Sequence, residues 1–454
     1  MRVARIAHAG LTVSSRRAVC VMDPVLVQPF DGSTFDPPIQ VDARALPRSP
    51  DLLVLSHAHS DHLSPPTLDL FARATPVVFP AGEAVIEEVL RRMGFEQRKG
   101  LRSGERFTVG DLELFPTPSR VPFPEMGVLF RSRGRTCWNM VDTAVDEAII
   151  TAVRQVAARP DVLLAPYQPL VERLLWSDAL GSGFPHDMYG RLLRTVLDVH
   201  PRCVVPASCG FRFAGEDWRN DRMFPLTEEQ FLADVGKLEA GITGRTLPPG
   251  AELTLERGFP VSDGVLPFIR RRGAAPLASH DWRPDRGVPP LEDPNGSGYP
   301  LRELRRTVRA YLGRQLLAEL GHPRHALWRE RMARLDVLWS LEVVYPGGGI
   351  ERYAVELSRP PFRLEMRGRK RAGERRFAKI LTAITASGLQ DLLEGVLSPY
   401  AIGGKAFRTT LRLYEPHREG VRQSGSPDDE PLTRTLLAGA DARYIARQLT
   451  QLGY

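Results

Sequence analysis

The chain has 454 residues, 43% of them hydrophobic and 25% charged, with a formal net charge of +7. This balance excludes collagen, coiled coil and wholesale disorder, and at about 150 residues per domain it predicts about two to three domains. No apolar run approaches the roughly 20 residues of a membrane span, so no membrane association is expected.

In chain order, Arg2–Ile6, Ala18–Met22 and Leu52–Leu55 read as short buried strands. The Pro/Gly/Asp-rich stretch 31–50 reads as a surface loop. Helical spacing follows over Pro65–Ala74 and Gly82–Met93, with a short strand at Val77–Phe79. Further strands are expected at Asp111–Phe115, Gly127–Phe130, Thr136–Val141, Val162–Ala165 and Cys203–Val205, and helices at Asp146–Ala158 and Met188–Val199. Strands and helices interleave without strict alternation, which predicts a layered α/β body with two sheets. Pro, Gly, Asp and Arg crowd residues 259–300, which read as a linker or domain edge. Beyond it come a helix over Leu301–Leu320, a hairpin of Val337–Tyr345 and Arg352–Leu357, a helix over Ile380–Leu397, a strand at Thr409–Tyr414 and a helix from Leu432.

One segment carries chemistry: Leu52-Leu53-Val54-Leu55 runs directly into Ser56-His57-Ala58-His59-Ser60-Asp61-His62. A strand end is rigid, and alternation aims His57 and His59 the same way, while the following turn brings Asp61 and His62 to a neighbouring point. Imidazole nitrogen and carboxylate oxygen together suit zinc, iron or manganese. Two histidines for one ion and an Asp–His pair for a second make a site for one or two divalent metals, zinc or iron, able to activate a water.

This His-x-His-x-Asp-His resembles the signature of the metallo-β-lactamase-fold superfamily, over roughly residues 1–258. His8-Ala9-Gly10 followed by Met22-Asp23-Pro24 is similar to the early strand pair of its lactonase-like and N-acylethanolamine phospholipase-like members. Ser56 to Leu68, Val204 to Gly210 and Pro248 to Leu253 are similar to the non-Rieske part of CMP-sialic acid hydroxylase. The resemblance implies an αββα sandwich of class α/β over 1–258, with a smaller C-terminal α+β domain over 301–454. It also implies a bridging carboxylate at a later strand end, where Met140-Val141-Asp142-Thr143 stands; the alternative role for Asp142 is a helix cap.

Two departures from the pattern matter. The chain has no histidine from Leu63 to Pro185, and Ser119-Arg120 occupies the slot of the next family histidine. Ser208 stands where the last one is expected. His186 is the nearest spare imidazole, as a ligand or a helix-start residue; His200 reads as structural. His8 and Asp23 read as further ligands, as groups behind the ligands, or as core and turn residues. Glu216 and Asp217 could offer oxygen ligands or form a solvated pair.

Three functions follow. The first expectation is a hydrolase in which a metal-activated water attacks an ester, amide or phosphoester, with Asp61 holding metal and nucleophile. The alternative implied by the hydroxylase resemblance is an iron-dependent oxygenase, for which the oxygen-rich donor set is better suited. The third is a non-catalytic metal-binding module. The expected partner is a small-molecule substrate, with an anionic one suggested by the basic run Glu365–Arg376. Nucleic acid is not expected, because the basic residues are mostly arginine and scattered along the chain. None of the four cysteines, Cys20, Cys137, Cys203 and Cys209, makes the Cys-x-His or Cys-x-x-His of a Rieske cluster, so an oxygenase would draw electrons from a separate protein. Their irregular spacing and an N-terminus that turns polar too early for a secretion signal predict a reduced, cytoplasmic protein. Residues 384–405 loosely resemble the end of a sterol-carrier domain.

Overall fold

The computed structural model describes residues 1–32, 34–169, 184–208, 212–215, 217–272, 283, 287–358, 361–366, 378–417, 420–423 and 425–454. The chain divides into two compact units. The first holds Met1–Leu170, Gly183–Pro284 and Gln448–Tyr454, and the second Val171–Ser182 and Asp285–Arg447.

The first unit is built on two sheets. One runs in the order Val261–Ser262, Glu252–Thr254, Arg2–Ala7, Gly10–Ser14, Val19–Met22, Leu52–Val54, Val77–Pro80, Arg98–Leu101. It is antiparallel as far as Val19–Met22 and parallel from there on. The other runs Thr243–Gly244, Cys203–Ala207, Val162–Pro166, Arg135–Asn139, Met126–Ser132, Leu112–Pro118, Phe107–Val109. Its first four strands are mutually parallel and the rest antiparallel.

Period-2 alternation sends every second side chain of these strands into one core between the sheets. Leu52 and Val54 from the first sheet join Val128, Phe130, Leu164 and Val205 from the second in a single buried cluster. Each such side chain contributes roughly 1.5–3 kcal/mol by leaving water. Three helices cover the second sheet: Glu147–Val156 lies on Leu112–Pro118, His186–Val199 on Val162–Pro166, and Glu228–Leu238 on Cys203–Ala207. This is the expected αββα arrangement. The helix expected over Pro65–Ala74 stops at Leu68, because the Ala72 N–H turns away to donate to the Arg48 carbonyl.

The stretch expected to link domains begins inside the first unit. Val261–Ser262 pairs with Glu252–Thr254, and Ile269–Arg271 pairs with Ile39–Val41.

The second unit carries a five-stranded sheet in the order Glu365–Met366, Ile350–Glu356, Leu338–Val344, Lys379–Thr385, Phe407–Arg412. The hairpin turns through Gly347 and Gly348 at φ of 79° and 84°, values that side-chain-bearing residues rarely adopt. The helix expected over Ile380–Leu397 is corrected: Lys379–Thr385 is a strand, parallel to Leu338–Val344. Ile380, Thr382 and Ile384 alternate inward, and this β-branched period of two overrides the local helical reading. The helix starts only at Ala386, where the Thr385 side chain accepts from the Gly388 N–H. Leu301–Leu320 is also not one regular helix, since Tyr311–Leu316 is π-helical. Among the described residues no helix is long and apolar enough to cross a membrane. Most of the basic run 365–376 lies outside the described residues, as do Cys209 and Glu216.

Candidate metal centre

Strand direction determines where the donors meet. Arg2–Ala7, Val19–Met22 and Leu52–Val54 all run the same way, so His8, Asp23 and the segment Ser56–His62 emerge at one edge of the first sheet. In the second sheet Arg135–Asn139 and Cys203–Ala207 end, and Met126–Ser132 begins, at a common edge. That edge presents Asp142, Ser208 and Glu125.

The backbone bends sharply at these ends. His8, Asp23, Val141 and Ser208 have φ of 48°, 43°, 54° and 60°. For the β-branched Val141 this is a true outlier. Such residues cost about 1–3 kcal/mol each, and here they re-aim strand ends toward a common point.

Two groups of three donors form there, each compact enough to hold a metal ion: His57, His62 and Asp142, and His8, Asp61 and His62. His57 Nε2 lies 2.9 Å from His59 Nδ1, so these two imidazoles also converge. His62 Nε2 is 3.1 Å from Asp142 Oδ2 and 3.7 Å from Asp61 Oδ2. His57 and His62 are fully buried, whereas the side chains of Asp61 and Asp142 are 21% and 37% exposed, which leaves the centre an open mouth.

Behind the donors sits a supporting layer. Asp23, fully buried, accepts from the Ser56 N–H at 2.7 Å and the Ser56 hydroxyl at 2.6 Å. Its Oδ2 also takes the Nδ1–H of His62 at 3.0 Å, which turns Nε2 toward the aspartates. A carboxylate behind a histidine in this way fixes its tautomer and strengthens it as a ligand. His8 Nε2 lies 2.9 Å from Asp61 Oδ2 and can orient that carboxylate in the same manner.

Charge is distributed unevenly. Burial, reinforced by the neighbouring imidazoles, drives His57 well below the ordinary histidine value, and burial also lowers His59. Both therefore favour the neutral imidazole, the form that ligates a metal. Burial alone would lower His62 too, but Asp61 and Asp142 outweigh it and hold it well above. The same pairing outweighs burial at the two aspartates and keeps both carboxyls below the usual range.

A metal bound by His62 would have to displace its proton. Stabilisation by added metal should therefore grow as pH rises through the raised His62 value. In the metal-free protein the sign is opposite. The imidazolium contribution is complete below the unfolded value of about 6.5 and fades as pH rises through the folded one. The melting-temperature gap between metal-loaded and chelator-treated protein should widen above about pH 6.5. A gap independent of pH there would remove His62 from the site.

Glu125 was not anticipated. It is buried, its Oε1 is 3.8 Å from His57 Nδ1, and its Oε2 has no hydrogen-bond partner. Burial raises its pKa, against an opposing hydrogen bond from Ser119. The readable signal was that it is the only acid between Glu113 and Asp142, immediately before an apolar strand.

None of the other anticipated residues among those described belongs to either three-donor group. His186 is exposed at a helix start with its ring 4.8 Å from Phe184, and belongs to neither three-donor group. His200 ends the same helix in the left-handed conformation, a structural position. Asp217 is bound to the buried Arg219 guanidinium at 2.8 Å. Ser119 and Arg120 bind the Ala144 N–H and Asp146, and it is Asp146 rather than Asp142 that caps the following helix. Ser208 Oγ is buried with no hydrogen-bond partner.

Residues 20–206 match the model of the family described as "Beta-lactamase superfamily domain". A stretch of 154 residues is 29% identical to a protein of Mycolicibacterium smegmatis (strain ATCC 700084 / mc(2)155) whose name suggests a Rieske 2Fe-2S iron-sulfur protein; it spans 31% of this chain and 30% of that one. Among solved structures, CmlA, a diiron β-hydroxylase from Streptomyces venezuelae, is similar at a TM-score of 0.41 and 18% identity, over 54% of this chain and 53% of that one. The isothiocyanate hydrolase from Delia radicum gut bacteria is similar at a TM-score of 0.42 and 14% identity, over 56% of this chain and 99% of that one.

Proposed function

From a β-lactamase superfamily domain over residues 20–206, we propose that this chain is an iron-dependent oxygenase that hydroxylates a small molecule and takes electrons from a separate protein. The carrying observation is Glu125: a buried carboxylate with an orphaned oxygen stands beside His57 in a donor set short of imidazoles. The set then contains three imidazoles, His57, His59 and His62, and three carboxylates, Asp61, Glu125 and Asp142. That composition suits iron better than paired zinc, which favours nitrogen-rich sites.

The donors would serve one or two ions: His57, His62 and Asp142 form one compact group and His8, Asp61 and His62 the other. His59 stands at Nε2 of His57 and Glu125 on its Nδ1 side. Iron at this centre would supply the use of dioxygen, one atom entering a substrate C–H bond and the other leaving as water, for two electrons and two protons delivered from outside. The protein's part is placement. Asp23 and His8 hold His62 and Asp61 in orientation, and the open faces of Asp61 and Asp142 leave room for substrate. The chain lacks the cysteine–histidine pattern of a Rieske cluster, and the name of its Mycolicibacterium relative supports an iron–sulfur donor.

Metal analysis of aerobically purified protein tests this reading. About two irons per chain with a Mössbauer signature are expected, and Glu125→His should move the preference toward zinc. Wild-type protein that holds zinc and turns over esters would replace the oxygenase with a hydrolase. That is the reading to which His-x-His-x-Asp-His alone points.

A further inference from the structure

Phe123 is 39% exposed, yet its ring lies against the candidate donors, 5.1 Å from the His59 ring and 6.3 Å from that of His57, centroid to centroid. We propose that Phe123 forms a subsite beside the metal centre that receives an aromatic ring of the substrate. The inference rests on the proposed function, in that His57 and His59 must hold a metal, and it adds a substrate class to it.

Position is the first argument. The segment from Ser119 to Glu125 is tied to the donor-bearing loops at both ends. The Arg120 N–H donates to the Ala144 carbonyl at 2.8 Å, two residues beyond Asp142, and the Met126 N–H donates to the Ser56 carbonyl at 3.1 Å, beside His57. Between these ties Phe123 is flanked by Pro122 and Pro124, whose fixed φ removes most of the segment's freedom. A ring held in this way needs little further ordering when a ligand arrives.

Chemistry is the second argument. Val121-Pro122-Phe123-Pro124 offers no charged or hydrogen-bonding side chain. The two charged residues of the segment face elsewhere, Arg120 toward Asp146 at 2.5 Å and the buried Glu125 toward His57 at 3.8 Å. What contacts this wall is therefore apolar, and an exposed phenyl ring favours a second ring, edge-on or offset, over an alkyl chain.

Hydroxamates provide a test that needs no substrate, because they chelate iron and give a visible absorption band. Benzohydroxamate and acetohydroxamate should be titrated into iron-loaded wild type and Phe123→Ala. Wild type should prefer the phenyl probe, and in Phe123→Ala that preference should fall about fivefold, with acetohydroxamate affinity, iron content and circular dichroism unchanged. Phe123→Trp should retain it. An unchanged preference in Phe123→Ala overturns the subsite while leaving the metal centre standing. Wild type that holds iron but binds neither probe overturns both.

Discussion

His62→Ala should purify folded but with most of its metal gone and its turnover reduced by at least about 100-fold, the upper end of what loss of a merely supporting group costs. His62 is the member common to both three-donor groups, so its removal weakens the binding of either ion. It is also the cation between Asp61 and Asp142, each of which raises the pKa of its imidazole. Without it the two carboxylates face one another uncompensated, and Asp23 keeps only its bonds from Ser56. Asp142→Ala, which touches one group, should lower metal stoichiometry less. His186→Ala should not change it, since that side chain is exposed and apart from the donors. Elemental analysis of the three variants beside wild type decides the matter. A His62→Ala protein with its full metal content would refute the proposed centre.

The second large effect concerns stability. Arg5 Nη1 meets Glu228 Oε1 at 2.6 Å, with only 5% and 8% of the two side chains exposed. Arg5 lies on the strand Arg2–Ala7, which leads into His8, and Glu228 in the first turn of the helix Glu228–Leu238. The pair is incompletely satisfied, for Arg5 Nε and Nη2 have no hydrogen-bond partner. Glu228→Ala would leave a buried guanidinium without its counter-charge, a loss of about 3–5 kcal/mol. For a unit of this size that lowers the melting temperature by about 10 °C. Replacing both partners by apolar residues, Arg5→Met with Glu228→Leu, should recover most of the loss, because the cost lies in the unpaired charge rather than in the missing attraction. Thermal melts of the single and double variants, with metal kept saturating, give the answer. A single variant that melts with wild type would mean that water reaches Arg5 and the pair is not truly buried.

The donors that form one continuous piece of chain were legible from their order. His57, His59, Asp61 and His62 follow a strand, and local alternation with one turn suffices to bring them together. Asp142 was legible only by resemblance. Composition does not separate a metal-bridging aspartate from a helix cap, and it is Asp146 that makes the cap here. The helix expected over Ile380–Leu397 shows the opposite failure. Ile380-Leu381-Thr382-Ala383-Ile384 suits either helix or strand locally, and pairing with Leu338–Val344 decides between them.

Chain order alone thus reveals a loop rich in histidine and aspartate, a layered α/β body and the shortage of histidines. Folding decides what stands around that loop. Glu125, more than sixty residues from His57, becomes its neighbour only because the start of one strand and the end of another, in different sheets, meet at a common edge. Asp23 and His8 come to stand behind His62 and Asp61 for the same reason. Sequence carries the identity and short-range spacing of donors. Distances between residues far apart in the chain follow from strand direction and sheet packing, which depend on every strand at once.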